Sequence, residues 1–340
     1  MKAAVIEADN VLTVRQIPEP EVGDYDALVD ILYGATCTGT DLALIAGKLP
    51  FRSPLPTVLG HESVGRVVAT GPKVRYLQLG DLVTRVGTRP VGPYSISWGG
   101  FAEVGLAKDY RAMEEDGVLT DPWPDARRNR VLPKGMDPAG ATMIITWRET
   151  LSYLTRMGMA PGKSLLVIGS GGNGLSYVAH GANLGGACVA MIGAASREQH
   201  ARRAGATHYY DYQAEGLKDA VSAACGEGFD LVIDAVGKIG AADLGLTFLK
   251  PGGILGIYGL HDFGQCTIAP LRSQSTFTFY NGGYDEAETH DQVIAMVQAG
   301  QLDASIWLDL DNPYPLDQIN EAFEAVRERQ LVKALIRIEG

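Results

Sequence analysis

The sequence lacks the features that mark secreted, membrane-spanning or nucleic-acid-binding proteins. Its four cysteines are widely spaced, so they do not form the framework of a disulfide-stabilised domain. It has no run of about 18 apolar residues, and its first residues lack the apolar core of a secretion signal. Lysine and arginine number 29 against 40 aspartates and glutamates, and the net charge of −11 disfavours nucleic acid and anionic membranes as partners. We therefore expect a cytoplasmic protein.

Two patterns of regular structure divide the 340 residues and predict an α/β fold of two domains. Residues 1–110 alternate short β-like runs with glycine and proline turns, which is typical of a β-rich domain. From about residue 146, apolar strands alternate with helical segments, which predicts a doubly wound parallel sheet. Residues 112–130 are polar and aperiodic, so we predict a surface loop there. The last helix and strand could return to the first domain.

The stretch GSGGNG follows the apolar strand LLVI and opens a helix. Gly169, Gly171 and Gly174 have the G-x-G-x-x-G spacing, which allows a tight turn, close approach to a pyrophosphate and close helix packing. Gly172 and Asn173 complete the loop at the helix N-terminus, which attracts phosphate groups. The motif predicts a dinucleotide cofactor.

The end of the next strand bears on the choice of cofactor. An NAD site usually has an acidic residue about 20 positions after the glycines, which binds the ribose hydroxyls. The stretch VAMIGAASREQ has no acidic residue at the end of its strand. Ser196 and Arg197 stand where a 2′-phosphate could be held, since a guanidinium suits phosphate. The sequence therefore favours NADP(H) over NAD(H).

A cysteine, a histidine and a glutamate make a candidate metal site in the first domain. Cys37 lies in GATCTGTDLALIAG, and His61 and Glu62 are adjacent in GHES. Thiolate, imidazole and carboxylate ligands with one open position suit a catalytic Zn²⁺, which can polarise an alcohol or carbonyl oxygen. Together with a nicotinamide cofactor, this site predicts hydride transfer to or from carbon.

With these motifs the chain resembles the zinc-dependent medium-chain dehydrogenases of the alcohol, sorbitol and threonine dehydrogenase family. The motifs that carry the resemblance occur in family order and cover nearly the whole chain: the Cys37-to-Asp41 cluster, GHESVGRVV, LGDLV, GGFAE, GSGGNG, VIDAVG with LKPGGILGIYG, and INEAFE. The resemblance implies a GroES-like catalytic domain, over 1–147 and 284–340, into which a Rossmann domain of residues 148–283 is inserted. It also implies a homodimer or homotetramer.

The resemblance adds further expectations about the cofactor and the metals. It places Thr150 under the nicotinamide ring, and Val236 and Gly259 along the cofactor cleft. Many relatives hold a second, structural zinc in a lobe with four close cysteines. Residues 85–110 contain no cysteine, so we expect one catalytic zinc and no structural zinc.

The family pattern Cys-x-Ser/Thr-Asp is altered here, because Cys37-Thr38-Gly39-Thr40-Asp41 has one extra residue. Either Cys37 is the ligand and Gly39 forms a bulge, or Thr38 takes the ligand position and the metal is weak or absent. A further family ligand corresponds to Thr146, which is a poor zinc ligand, so water or substrate could complete the shell. Glu149, three residues on, is predicted to lie on the helix surface.

The predicted activity is transfer of a hydride between NAD(P)(H) and a secondary alcohol or ketone of the polyol, sugar or cyclitol class. Thr40 is expected to hydrogen-bond the substrate oxygen and to pass its proton outward, and Asp41 to orient His61 or Glu62. Two alternatives stay open. One is a zinc-free NADPH-dependent reductase of enoyl or quinone substrates, and the other is a non-catalytic NADP-binding sensor.

Overall fold

The structure is a computed structural model, and it describes residues 1–50, 53–118, 127–269 and 276–338. The strands, in chain order, are β1 (Lys2–Ile6), β2 (Leu12–Gln16), β3 (Asp26–Ala35), β4 (Thr57–Val58), β5 (Glu62–Thr70), β6 (Leu82–Thr84), β7 (Ser95–Ile96), β8 (Val104–Lys108), β9 (Arg130–Val131), β10 (Ser164–Ile168), β11 (Cys188–Gly193), β12 (His208–Asp211), β13 (Phe229–Asp234), β14 (Leu249–Ile257), β15 (Thr278–Tyr280), β16 (Tyr314–Pro315) and β17 (Leu335–Arg337).

The α-helices, in chain order, are α1 (Thr38–Ile45), α2 (Tyr110–Glu115), α3 (Pro138–Ala141), α4 (Met143–Arg156), α5 (Gly172–Asn183), α6 (Glu198–Arg203), α7 (Leu217–Ala224), α8 (Ala241–Leu246), α9 (His290–Gln298) and α10 (Ile319–Arg327). Short 3₁₀ turns occupy Ala195–Arg197, Ala304–Ile306 and Leu316–Gln318. Within the described ranges, no helix is both long enough and apolar enough to cross a membrane.

The chain divides into two compact units. The first contains Met1–Ile145 and Trp307–Gly340, and the second contains Thr146–Ile306. The second unit therefore ends later than the predicted limit at 283. The reason is that residues after β15 still pack into it: Arg148 of α4 donates from Nη2 to Glu286 Oε2 at 3.0 Å, and both side chains are fully buried.

The first unit is built from β-sheets, as the sequence predicted. Among the described residues, β16-β17-β3-β5-β6-β9 form one sheet with β8 also paired to β3, and β2-β1-β4-β7 form another. The last strand returns to this unit, because β17 pairs antiparallel with β3. The predicted loop over 112–130 is wrong at its ends, where α2 and β9 form; residues 119–126 of it lie outside the described residues.

The second unit is a parallel sheet flanked by helices. Its described strands follow the order β12-β11-β10-β13-β14-β15, and every pairing is parallel. β10 is buried throughout, as expected for a strand covered on both faces. The strand order reverses between β10 and β13. In such sheets ligands bind at the carboxyl ends of the strands on either side of this reversal.

Candidate active site

Three adjacent strand ends bring the candidate metal ligands together in the first unit. In the sheet, Ala35 at the end of β3 pairs with Glu62 on one side and with Leu335 on the other. Cys37 lies two residues beyond Ala35, and Lys333 lies two residues before Leu335. The antiparallel register therefore places side chains from distant parts of the sequence at one edge.

Cys37, His61 and Glu62 form a cluster whose candidate ligand atoms all lie within 4.8 Å of one another. The three side chains are buried, with exposed fractions of 5%, 4% and 1%. Thr38 points elsewhere, since its hydroxyl donates to the Val332 carbonyl at 3.4 Å. Of the two alignments that the sequence left open, the geometry thus brings Cys37 rather than Thr38 to His61.

The extra residue lies in a helix and not in a bulge, so the prediction that Gly39 forms a bulge is wrong. Cys37 is the N-cap of α1, and Gly39 lies exposed in the first turn with open space around it. Asp41 Oδ2 accepts a hydrogen bond from the Cys37 N–H at 2.8 Å, and the Asp41 N–H donates to the Cys37 carbonyl at 2.8 Å. These two bonds close the turn much as a capping box does. Residues four positions apart lie on the same face of a helix, so Cys37 and Asp41 stay close together despite the added residue.

Asp41 also faces the histidine, as predicted. Its Oδ1 lies 3.3 Å from His61 Nδ1, and Asp41 is fully buried. Burial lowers the pKa of His61, but the Asp41 carboxylate and Cys37 oppose it and hold that pKa well above its ordinary value. A carboxylate on one ring nitrogen fixes the orientation of the imidazole and leaves Nε2 for a ligand. The hydroxyl of Thr40 lies 3.5 Å from Cys37 Sγ and is half-buried.

The sequence analysis missed Lys333, which pairs with Glu62. Lys333 Nζ lies 2.7 Å from Glu62 Oε1 and 2.6 Å from Oε2, and only 2% of the lysine side chain is exposed. Burial lowers the pKa of Lys333, but Glu62 and Cys37 raise it above its ordinary value, so this lysine is a cation at neutral pH. The signal in the sequence was a lysine inside the apolar run LVKALIRI.

The chemistry of this cluster fits a divalent metal. Cys37, Asp41 and Glu62 can each carry a negative charge, and Lys333 carries a positive one. Without an ion, Lys333 and a protonated His61 supply the positive charge that the buried carboxylates of Asp41 and Glu62 need. A zinc ion held by Cys37, His61 and Glu62 would take the place of the released protons, with Glu62 shared between the ion and the ammonium group. The donor types are those of a catalytic zinc site.

Arg85 and Trp98, which the sequence analysis also missed, both contact His61. The Trp98 ring lies 4.9 Å from the imidazole, centroid to centroid. Arg85 donates from Nη1 to the His61 carbonyl at 2.5 Å, and its guanidinium lies 5.8 Å from the Trp98 ring centre. The two side chains fix both ends of the histidine residue.

The predicted glycine loop of the second unit has the required geometry. Gly169 follows β10 with φ +112°, a conformation that favours glycine. A Cβ on Gly174 would lie 1.8 Å from the Gly169 carbonyl oxygen, so α5 can pack this closely only with glycine there. Gly171 is the N-cap of α5 and has open space around it, and Gly172 and Asn173 form the first turn.

Val236 lies beside this loop and Gly259 lies beside Val236, and their predicted place along the cofactor cleft stays a prediction. A Cβ on Gly169 would meet the Val236 side chain at 2.6 Å, and one on Gly259 would meet the Val236 backbone at 2.0 Å. Thr150 is fully buried in α4, and its hydroxyl donates to the Thr146 carbonyl at 2.7 Å. His180 Nε2 lies 3.1 Å from the same hydroxyl, so it acts as the donor there.

Ser196 and Arg197 form a 3₁₀ turn directly after β11 and Ala194. Ser196 is exposed, whereas the Arg197 side chain is 8% exposed. Arg197 is therefore not a freely solvated charge on the helix surface. Its place past the carboxyl end of β11 is where the adenosine ribose lies in Rossmann folds.

Glu149 departs from its prediction. It was expected on the helix surface, but it is only 7% exposed, and its Oε2 accepts a hydrogen bond from Tyr258 at 3.1 Å. The reason is that α4 is buried on all sides near this point, as Thr146 and Thr150 are also fully buried. A polar residue in such a helix needs a partner, which Tyr258 provides.

Two family models match the chain. The one described as alcohol dehydrogenase GroES-like domain matches residues 23–122, and the one described as zinc-binding dehydrogenase matches residues 174–296. An NADP-dependent isopropanol dehydrogenase of Clostridium beijerinckii is 31% identical over 281 residues, which cover 79% of each chain. An L-galactonate-5-dehydrogenase of Escherichia coli (strain K12) is 26% identical over 325 residues, covering 95% of this chain and 94% of that protein.

Solved structures agree with this similarity. The alcohol dehydrogenase TADH from Thermus sp. ATN1 superimposes with a TM-score of 0.81 at 25% identity, and the match covers 100% of both chains. The matched regions include the glycine helix from Gly174 and the cluster of Cys37, His61 and Glu62.

Proposed function

Because the chain belongs to the zinc-dependent medium-chain dehydrogenase/reductase family, we propose that it transfers a hydride between NAD(P)(H) and a secondary alcohol or ketone. The family makes it an oxidoreductase of the alcohol and polyol dehydrogenase type. The observation that carries the proposal is the buried cluster of Cys37, His61 and Glu62. These residues would hold Zn²⁺, with Asp41 orienting the imidazole of His61.

Each residue of the cluster has a distinct part in the proposed reaction. Bound Zn²⁺ would polarise the substrate oxygen, and the bound nicotinamide would exchange the hydride. The buried Asp41 carboxylate accepts a hydrogen bond from the Cys37 backbone N–H and lies against the His61 imidazole, and it thereby fixes the positions of both ligand residues. Lys333 pairs with both oxygens of the Glu62 carboxylate, so that the carboxylate has a defined position.

Thr40 is proposed to handle the proton of the substrate hydroxyl. Its hydroxyl lies 3.5 Å from Cys37 Sγ, and the residue is half-buried. A hydroxyl both donates and accepts, and it can therefore accept the substrate proton while donating its own outward. Ala43 stands where many relatives have a histidine, so no imidazole continues this path in α1.

The substrate class and the cofactor preference are also proposed. A polyol, sugar or cyclitol substrate is supported by the similarity to the L-galactonate-5-dehydrogenase of Escherichia coli. Preference for NADP(H) is supported by Ser196 and Arg197 after β11 and by the NADP-dependent isopropanol dehydrogenase. We keep a homodimer or homotetramer and a cytoplasmic location as predictions, without nucleic acid or membrane partners.

Two cysteine-to-serine substitutions, one in the cluster and one outside it, test the metal role directly. Cys37→Ser should lower the zinc content to well below one ion per chain and abolish turnover, because an alcohol is a much weaker zinc ligand than a thiolate. NADPH affinity should stay unchanged, since the glycine loop lies in the second unit. The matched control is Cys266→Ser at an exposed cysteine, which should keep both zinc and turnover. Full turnover by Cys37→Ser would remove the zinc proposal.

A further inference from the structure

The end of β11 is held by two side chains from neighbouring parts of the second unit. Ser170, the second residue of GSGGNG, accepts a hydrogen bond at Oγ from the Ala194 N–H at 3.1 Å. Tyr209, on β12, donates from its hydroxyl to the Ala194 carbonyl at 2.5 Å. Ala194 directly follows β11, so both of its backbone hydrogen-bonding groups are bound by side chains. The sequence analysis gave neither Ser170 nor Tyr209 a role.

These two side chains leave no room for a side chain on Gly193, the last residue of β11. A Cβ on Gly193 would overlap Cβ and Oγ of Ser170, and it would lie 2.6 Å from the Tyr209 hydroxyl oxygen. Gly193 does not have the left-handed backbone conformation that favours glycine, so its backbone alone would accept other residues. The requirement for glycine is therefore steric, and it comes from Ser170 and Tyr209.

Gly193 lies where sites for NAD have their acidic residue. That residue stands about 20 positions after the glycines, and it binds the ribose 2′-hydroxyl. β11 is the first strand after the glycine loop, and Gly193 ends it. An aspartate or glutamate at this position would have to displace both Ser170 and Tyr209.

The groups that occupy this space are uncharged. Burial raises the pKa of Tyr209 above its ordinary value, so the phenol keeps its proton at neutral pH. Asp211 and Glu198 also raise this pKa, and Arg197 opposes them. The two carboxylates each have a hydrogen-bonding partner of their own. Ser170 and Tyr209 therefore add no negative charge at the end of β11, where it would repel a phosphate.

The same backbone residue begins the turn that contains Ser196 and Arg197. Ala194 is the N-cap of the 3₁₀ turn Ala195–Arg197, and its carbonyl accepts a second hydrogen bond from the Arg197 N–H at 2.8 Å. Because Tyr209 and Arg197 share this acceptor, the Tyr209 hydroxyl helps to fix the backbone from which the arginine side chain extends.

We propose that Ser170 and Tyr209 determine the choice of cofactor in this chain. They exclude an acidic side chain from the end of β11, and they hold the turn whose Arg197 would bind a 2′-phosphate. Both are positioning residues, since neither needs to touch the cofactor. This inference rests on the proposed function and adds to it the side chains that set the preference for NADP(H) over NAD(H).

Fluorescence titration of the full chain with NADPH and with NADH tests the positioning role. Tyr209→Phe keeps the ring and removes the hydroxyl, so the Kd of NADPH should rise about fivefold while the Kd of NADH changes less than about twofold. Tyr210→Phe is the matched control on the same strand, because successive side chains of a strand point to opposite faces. The control should change neither Kd. Equal changes of both Kd values in Tyr209→Phe, or no change in either, would refute the role.

Substitutions at Gly193 test the exclusion of an acidic side chain. Gly193→Asp alone should lower the thermal midpoint and weaken the binding of both cofactors, because the aspartate overlaps Ser170 and Tyr209. Adding Ser170→Gly and Tyr209→Phe removes the overlapping atoms, so the triple variant should regain stability and bind NADH more tightly than NADPH.

Exclusion is wrong if Gly193→Asp alone is as stable as the wild type and binds NADH more tightly than the wild type does. It is also wrong if the triple variant folds and still prefers NADPH. The comparison of Tyr209→Phe with Tyr210→Phe decides the question if the triple variant does not fold.

The wild type separates this inference from the proposed function. Binding of neither cofactor would overturn both, and a preference for NADH would overturn the inference. Tight binding of NADPH with a ratio of Kd values that Tyr209→Phe leaves unchanged would overturn only the role of Ser170 and Tyr209. A selective loss of NADPH binding in a chain without turnover would support that role and overturn only the proposed reaction.

Discussion

Lys333 and Glu62 form a buried ion pair in which the ammonium nitrogen lies 2.6 and 2.7 Å from the two carboxylate oxygens. Lys333 lies two residues before β17 and Glu62 is the first residue of β5, so the pair links the beginnings of these two strands. Breaking a buried pair leaves an uncompensated charge, which typically costs about 3–5 kcal/mol. In this position the lysine would also repel a metal ion bound by Glu62, and we expect it to lower metal affinity while it stabilises the metal-free protein.

Lys333→Met should therefore make the fold depend more strongly on metal. We expect the metal-free variant to unfold at a lower temperature than the metal-free wild type, and metal to restore most of the difference. The measurement is the thermal midpoint with and without chelator. Lys2→Met, at an exposed pair with Asp317, is the control and should change neither midpoint. An equal loss in the metal-loaded and metal-free states would contradict the proposed repulsion.

Arg197→Ala should weaken NADPH binding much more than NADH binding. Arg197 follows β11 in the chain, where a 2′-phosphate would be held, and a charge-assisted bond to phosphate contributes about 1.5–3 kcal/mol. We expect roughly a tenfold or larger rise in the Kd of NADPH, measured by fluorescence titration. Arg202→Ala, at an exposed pair on α6, is the control. A similar rise in Kd for both cofactors would remove the assigned role.

His180 predicts a defined pH dependence of stability. Burial lowers the pKa of His180 to about 3, from an ordinary value of 6.5. At pH values between these two pKa values, the imidazole is protonated in the unfolded chain but not in the folded chain. The free energy of unfolding therefore falls by about 1.4 kcal/mol for each pH unit by which the pH is lowered. His180→Gln keeps a hydrogen-bonding group for Thr150 and removes this titration. Urea unfolding at pH 6.5 and 4.5 should show about 2 kcal/mol less loss in the variant; equal losses in the two proteins would refute the assignment.

Local patterns predicted much of the fold correctly, because they depend on short-range chemistry. The spacing of Gly169, Gly171 and Gly174 followed a strand and opened a helix, and this is the structure that forms. The alternation of strands and helices predicted the parallel sheet for the same reason. Cys37, His61 and Glu62 were recognisable because their chemistry is distinctive even when their spacing is irregular.

The sequence alone could not predict which side chains from distant parts of the chain pair with each other. Lys333 and Glu62 are 271 residues apart, and only the register of β17, β3 and β5 brings them together. The helical turn at Gly39 could not be told from a bulge, because glycine is compatible with both. Glu149 was placed on the surface because its helix was treated as amphipathic, whereas neighbours on all sides bury it.

The central claim is that Cys37, His61 and Glu62 hold a catalytic zinc ion. The most direct test is metal analysis of the wild-type protein purified without added metal, combined with activity before and after chelation. We expect about one zinc ion per chain, no structural zinc, and loss of turnover on chelation that added zinc restores. A zinc content well below one per chain together with chelator-resistant activity would contradict the account and favour a zinc-free NADPH-dependent reductase.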